Sequence, residues 1–249
     1  MLWYLIVDED GKPGSVNMAI DQTLLARAQD GMACLRLYRW KPPCLSFGRH
    51  EPALRRYSLR RIRERNLDTV RRPTGGRAVW HEHEVTYAVA APIDTFGSLR
   101  ETYLRIHSTL TRALNRLGVA ASHAPRTPAA SLGSGSCFAT AAGGEILANG
   151  RKLVGSAQLR ERNAFLQHGS ILLDDGQDMI KEISRMPHAP INATSLTGIL
   201  GRPIRFDEVC EAIADEARLS WDGDWQMPGT SPPPESCFNF DDPAWTWVR

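Results

Sequence analysis

Two short segments of this chain carry side chains suited to nucleophilic and electrostatic chemistry. In Ser136-Cys137-Phe138 a thiol follows a long run of Ala, Ser, Gly and Pro (119–136). A cysteine on a small-residue loop beside polar groups is better placed to react than one in a strand core, because the thiolate is the nucleophile and must be reachable. Cys237, in Ser236-Cys237-Phe238, is its rival by local sequence. Cys34 and Cys44 sit in apolar strand-like runs and Cys210 in the helical pattern FDEVCEAI, so these three read as packing residues. In the second segment, Gly150-Arg151-Lys152-Leu153-Val154-Gly155-Ser156-Ala157-Gln158, a lysine follows a tight turn and enters a strand of small residues. Strict alternation puts Lys152, Val154, Ser156 and Gln158 on one face. An ammonium with open space beside it could hold a carbonyl or phosphate oxygen. The alternative is a surface lysine near a hairpin.

A third segment, Arg71-Arg72-Pro73-Thr74-Gly75-Gly76-Arg77-Ala78-Val79-Trp80-His81, joins two extended stretches. Paired glycines let the backbone approach a ligand closely, and the flanking arginines offer charge-assisted donors. This suits a phosphate, a carboxylate or a pantetheine-like thioester arm. A plain hairpin turn with solvated arginines is the alternative. Neither GxGxxG nor GK[ST] is present, so no nucleotide fingerprint applies. His81, His83 and His168 are candidate polar partners, the last in Leu166-Gln167-His168-Gly169-Ser170. No Ser-His-Asp signature and no metal-ligand spacing is evident.

The elements that must position these groups follow from pattern. Residues 2–8 read as a strand. A helix runs to about residue 30, capped by Ser15 or Asn17. Strands follow at 33–40, 44–48 and 67–72, with a basic helix over 54–65. Two extended pieces, RAVWH and EVTYAVAAP, precede the clearest helix, 99–118, which ends at Gly118. EILAN, GRKLVGSAQLRE and AFLQHGSILLD read as successive antiparallel strands, with Asn149-Gly150 as a tight turn. Two short helices follow near 176–184 and 206–218, and the Pro-, Trp- and Asp-rich tail from about 221 reads as irregular. Locally paired strands with inserted helices predict an α+β fold with a mixed or antiparallel sheet. We expect one domain over 1–249.

Composition narrows the class. The chain has 249 residues, 42% hydrophobic and 23% charged, with a formal net charge of +2. That balance is ordinary for a globular protein and too small to mark a general nucleic-acid binder. No apolar run reaches the roughly 20 residues that span a membrane. The N-terminus lacks a basic n-region and is expected not to be a signal peptide. Five scattered cysteines, an odd number without CxxC, predict reduced thiols in a cytoplasmic protein, neither a disulfide framework nor a zinc site.

In order, NMAID (17–21), RPTGGRAVWH (72–81), SCF (136–138), GRKLVGSAQ (150–158) and QHGSILLD (167–174) resemble the biotin- and lipoate-protein ligase family, and within it the LipM-type octanoyltransferases. The resemblance extends over most of residues 15–175. Gly75-Gly76-Arg77-Ala78-Val79 has the octanoyltransferase form, where ligases usually read GGGAV. Many ligases carry an added C-terminal domain, which is not expected after 221. The stretch SCFATAAGGE, and Trp80 and Glu82 around His81, depart from the family pattern.

This resemblance implies a ligase-type catalytic domain, a mixed, largely antiparallel sheet flanked by helices. It implies transfer of octanoyl from acyl carrier protein, through a thioester on Cys137, to a lysine of a lipoyl domain or glycine-cleavage H protein. Lys152 would be the active-site lysine. Substrate-binding positions would be Arg72, Gly75, Gly76, Arg77, His81, Gly155, Ser156, Ala157, His168 and Gly169. No ATP, metal or other cofactor is implied, because a thioester is already activated. An ATP-dependent lipoate-protein ligase is the alternative. Residues 55–72 hold eight arginines, a face that could steer acidic carrier and lipoyl domains or simply be solvated.

Overall fold

The structure, a computed structural model, describes residues 1–125, 138, 144–186, 191–235 and 238–248. Its strands are β1 (Leu2–Lys12), β2 (Ala33–Trp40), β3 (Cys44–Phe47), β4 (Asp68–Arg71), β5 (Val79–His81), β6 (Glu84–Pro92), β7 (Ala121–His123), β8 (Ile146–Ala148), β9 (Arg151–Glu161), β10 (Ala164–Leu172) and β11 (Asp224–Gln226). Its helices are α1 (Gly14–Gln29), α2 (Ala53–Arg56), α3 (Leu59–Glu64), α4 (Leu99–Arg116), α5 (Met179–Ile183), α6 (Leu196–Leu200), α7 (Phe206–Ser220) and α8 (Pro243–Thr246).

Eight strands form one sheet in the order β11-β1-β2-β6-β10-β9-β8-β7. The β11–β1 and β1–β2 pairs are parallel and the remaining five are antiparallel. This is the mixed, largely antiparallel α+β arrangement expected. Alternation along β6 divides the core. Val85, Tyr87, Val89 and Ala91 pack with Ile106, Leu110 and Leu114 of α4 and Val209 and Ile213 of α7. Ala88 and Ala90 turn the other way, to Met18, Leu24 and Leu25 of α1. A second sheet, β4-β3-β5, lies against α3 and α5 through Leu45, Phe47, Trp80, Ile62, Ile180 and Ile183.

Local chemistry explains most boundaries. Ser98 and Glu101 form a reciprocal capping box at the start of α4, which satisfies two backbone donors there. Asn149 (φ 51°) and Gly150 (φ 72°) make the left-handed turn between β8 and β9.

Several expectations need correction. Helix α1 starts at Gly14, before Ser15 and Asn17. Its first N–H is held by Asp68 Oδ2 of β4 at 2.8 Å, so the cap comes from a distant strand. Asn17 instead ties the Lys12 and Arg39 carbonyls inside the fold. The basic stretch 54–65 is two short helices, because Tyr57 leaves the helical path to bridge Ser184. The tail beyond 221 is not wholly irregular: β11 extends the large sheet beside β1, and α8 packs near β4. No helix among the described residues is long and apolar enough to cross a membrane.

Candidate active site

The loop between β4 and β5 is not a hairpin. Both strands pair with β3, β4 parallel and β5 antiparallel, so residues 72–78 cross over the end of β3. Arg71 and Arg72 are not solvated either. Arg71 is fully buried and donates to the carbonyls of Gly48, Arg49, Glu51, Trp245 and Thr246. Arg72 donates to Ser46 Oγ (2.8 Å) and to the carbonyls of Gly75 (3.1 Å) and Arg77 (2.6 Å), pinning the glycine loop from within. Gly76 sits at φ +94° with Arg72 Nη2 only 2.8 Å from where a Cβ would lie, so glycine is required there. Gly75, by contrast, faces open space, and Arg77 is half-buried at the loop's end.

Arg72 of this loop borders an open cavity with an empty volume of about 350 Å³, solvent at its mouth included. Its walls include Arg72, Val79 and His81 from the small sheet, Gly155, Ser156 and Ala157 of β9, and His168 and Gly169 of β10. The structure therefore gathers seven of the expected binding residues around one space, while Gly75, Gly76 and Arg77 follow Arg72 on the loop and are not among its walls. Met18, Tyr38 and Trp40 add apolar and aromatic lining. Gly169 is sterically obliged, since a Cβ there would meet Gly155 O at 2.5 Å and Tyr87 Cε1 at 2.8 Å. Ser156 contributes backbone, for its hydroxyl turns to the opposite side of the sheet, accepting from Tyr87 Oη (2.7 Å) and lying 2.9 Å from His107 Nε2.

Both cavity histidines are locked. His168 donates from Nδ1 to Asp21 Oδ2 (3.0 Å) and accepts at Nε2 from Thr74 Oγ1 (2.6 Å). Burial pushes its pKa below the usual histidine value even though Asp21 opposes the shift, so the ring stays neutral. His81 is stacked on Trp40 at 4.0 Å, with Nε2 2.6 Å from Ser46 Oγ and Nδ1 2.7 Å from Glu84 Oε1. His83 lies outside the cavity, exposed beside Glu82.

Lys152 departs from the expected alternation. Leu147 pairs with Lys152 but Ile146 pairs with Val154, so Leu153 is an extra residue on β9, a β-bulge. Leu153 and Val154 consequently both enter the core beneath α4 and α7. Lys152 turns to the other side, the side of Gly155 and Ala157, away from the Ser156 hydroxyl. It is 2% exposed, and its Nζ donates to Glu145 Oε1 at 2.6 Å. Nζ also stands 5.2 Å from the centroid of the Phe138 ring, and Phe138 packs on Val79, a cavity residue. A buried lysine held this way is a donor fixed in place, suited to stabilising an oxyanion.

Cys137 and Cys237 lie outside the described residues. Cys34, Cys44 and Cys210 are buried free thiols, as their apolar contexts predict, and burial raises the Cys34 pKa to about 12. Asp21, Thr74, Glu84 and Glu145 were not singled out by sequence. Asp21 stands in NMAID, one turn after Asn17, which was signal enough to find it.

Residues 13–218 match the lipoyl protein ligase A/B catalytic domain family. The chain is 36% identical to an octanoyltransferase LipM of Kyrpidia tusciae over 234 residues, 86% of this chain and 85% of that protein. It is likewise 36% identical to the octanoyltransferase LipM of Symbiobacterium thermophilum, over 85% and 84% of the two chains. Among solved structures, a bi-partite lipoate protein ligase of Thermoplasma acidophilum superposes with a TM-score of 0.76 at 18% identity, covering 99% of this chain and 96% of that one. Lipoate-protein ligase A bound with ATP gives 0.74 at 20% identity, covering 92% and 90%. At those identities the two structures speak for the fold alone.

Proposed function

Because the chain belongs to the lipoyl protein ligase A/B catalytic domain family, we propose that it is an octanoyltransferase that forms a thioester on Cys137 and passes the acyl group to a protein lysine. The donor would be octanoyl acyl carrier protein, and the acceptor a lipoyl domain or glycine-cleavage H protein. The observation that carries this reading is the buried Lys152 ammonium beside Phe138, the residue next to Cys137, with Phe138 packed on Val79 of the cavity wall. The likeness to octanoyltransferases of the LipM kind supports it.

The chemistry runs in two balanced steps. The Cys137 thiolate attacks the acyl thioester, a tetrahedral oxyanion forms and collapses, and the carrier leaves as its thiolate. The deprotonated amine of the acceptor lysine then attacks the acyl-enzyme, Cys137 leaves as thiolate, and the nitrogen sheds a proton to give an amide. Lys152 lies on the same side of β9 as Gly155 and Ala157 and would supply the donor that a carbonyl oxygen needs in both steps. Two partners using one site in turn predict ping-pong kinetics.

The test is the intact mass of the enzyme after incubation with octanoyl carrier protein and no ATP. The expected result is one octanoyl adduct on the Cys137 peptide, released by hydroxylamine and discharged by a lipoyl domain. Cys137→Ala should show neither adduct nor transfer. Transfer that needs ATP and free acid, with no adduct, would assign the chain to the ligases instead.

A further inference from the structure

The hairpin that carries Lys152 also carries Glu145. Glu145 immediately precedes β8, the Asn149-Gly150 turn reverses the chain, and Lys152 is the second residue of β9. Both side chains are almost wholly buried, 4% and 2% exposed, with Nζ and Oε1 2.6 Å apart. Ion pairs this deep are poor stabilisers, since two desolvation costs oppose the attraction. A pair kept there invites a reason other than stability.

That reason is geometric. The backbone of Lys152 is clamped on its outer side, where its N–H donates to Asn192 O (2.9 Å) and its carbonyl accepts from Thr194 N (2.9 Å). The bulge at Leu153 sets which side of the sheet its side chain takes. Four flexible methylenes would still let the ammonium wander, and Glu145 removes that freedom. An ammonium has three protons in tetrahedral array, so a bond to a fixed carboxylate sets the directions in which the others point, beside Phe138.

We infer that Glu145 is a positioning residue that holds the Lys152 ammonium in place for the acyl carbonyl. This rests on the acyl-transfer reading given above. In this role Glu145 acts on the reaction through Lys152, and that makes the role separable from a merely structural one.

The experiment is a double-mutant cycle on the full chain with E145Q, K152A and the double variant, plus E145D, reading single-turnover acyl transfer, KM and Tm. E145Q should lower turnover at saturating donor by on the order of 10- to 100-fold, the scale of a misplaced catalytic group, with KM unchanged. E145D keeps the charge but withdraws it by one methylene, and should fall between E145Q and wild type. In the K152A background, E145Q should change the residual rate by less than about 2-fold, since nothing remains to position. E145Q turnover within about 3-fold of wild type, or the same loss in both backgrounds, overturns the inference. Should E145Q not fold, E145D decides: reduced turnover at an unchanged Tm supports the role, and wild-type turnover overturns it. If the wild type proves to need ATP and free acid, the thioester reading falls, and the same cycle run on that reaction still decides Glu145.

Discussion

At the residue scale, the site is a set of groups whose freedom has been removed. Lys152 is held by Glu145, His168 by Asp21 and Thr74, and Arg72 by the carbonyls of the loop it supports. Lys152→Ala should therefore cost on the order of 100- to 1,000-fold in turnover, the usual effect of losing one oxyanion donor, and should also lower Tm, because it takes the cation away from the buried Glu145 carboxylate. A variant within a few-fold of wild type in a steady-state assay would remove Lys152 from the mechanism. His107 gives a prediction about pH. It is buried between Gly144 O (2.7 Å from Nδ1) and Ser156 Oγ (2.9 Å from Nε2), and burial drops its pKa to about 3. In the unfolded chain it titrates near 6.5. The unfolded state thus binds the extra proton first, and stability is lost as pH falls from 6.5 toward 3. Urea unfolding across that window should show wild type losing about 1.4 kcal/mol per pH unit more than His107→Asn. Parallel curves for the two proteins would contradict it.

At the element scale, the β9–β10 pair is the floor of the cavity, and its close backbone approach depends on Gly169. A methyl group at that position would press on Gly155 O, Ser156 Oγ and Tyr87, two of them in the strand and network it must pack against. Gly169→Ala should destabilise the fold by about 1–3 kcal/mol, the usual cost of overpacking, and should lower acyl transfer as the floor shifts. The midpoint of urea denaturation reads the first effect. A midpoint unchanged from wild type would mean that the strands separate without cost. The bulge at Leu153 is the other device in this pair, since one added residue decides which side of the sheet receives the lysine.

At the scale of the whole molecule, charge distribution matters more than net charge. Of the eight arginines between 55 and 72, Arg71 and Arg72 are structural and buried, and Arg61 spends its guanidinium on the Glu182 and Ser184 carbonyls. Arg55, Arg60 and Arg63 are exposed. Reversing those three together should raise the KM for an acidic carrier protein and leave turnover at saturation nearly unchanged. The effect should fade with added salt, because exposed charges are screened beyond roughly 10 Å at 0.1 M ionic strength. An unchanged KM at low salt would mean that this face is only solvated.

Much of this molecule is legible along the chain. The strand alternation of β6 and β10, the capping box of α4 and the Asn149-Gly150 turn are each encoded within a few residues, where local sterics and hydrogen bonding decide. The segments NMAID, RPTGGRAVWH, GRKLVGSAQ and QHGSILLD each contribute residues to the walls of the cavity. Their glycines and charged residues mark positions where backbone must come close or a charge must be held. The rest depends on which strands meet. The cap of α1 comes from Asp68, β11 pairs with β1 across most of the chain, and the paired arginines became clamps because the loop crosses β3 instead of folding back as a hairpin. A bulge is a mismatch between two strands, so neither strand alone can reveal it. That mismatch put Lys152 on the cavity side and left Glu145 as its partner, because pairing register, and not residue type, sets which side of a sheet a side chain enters.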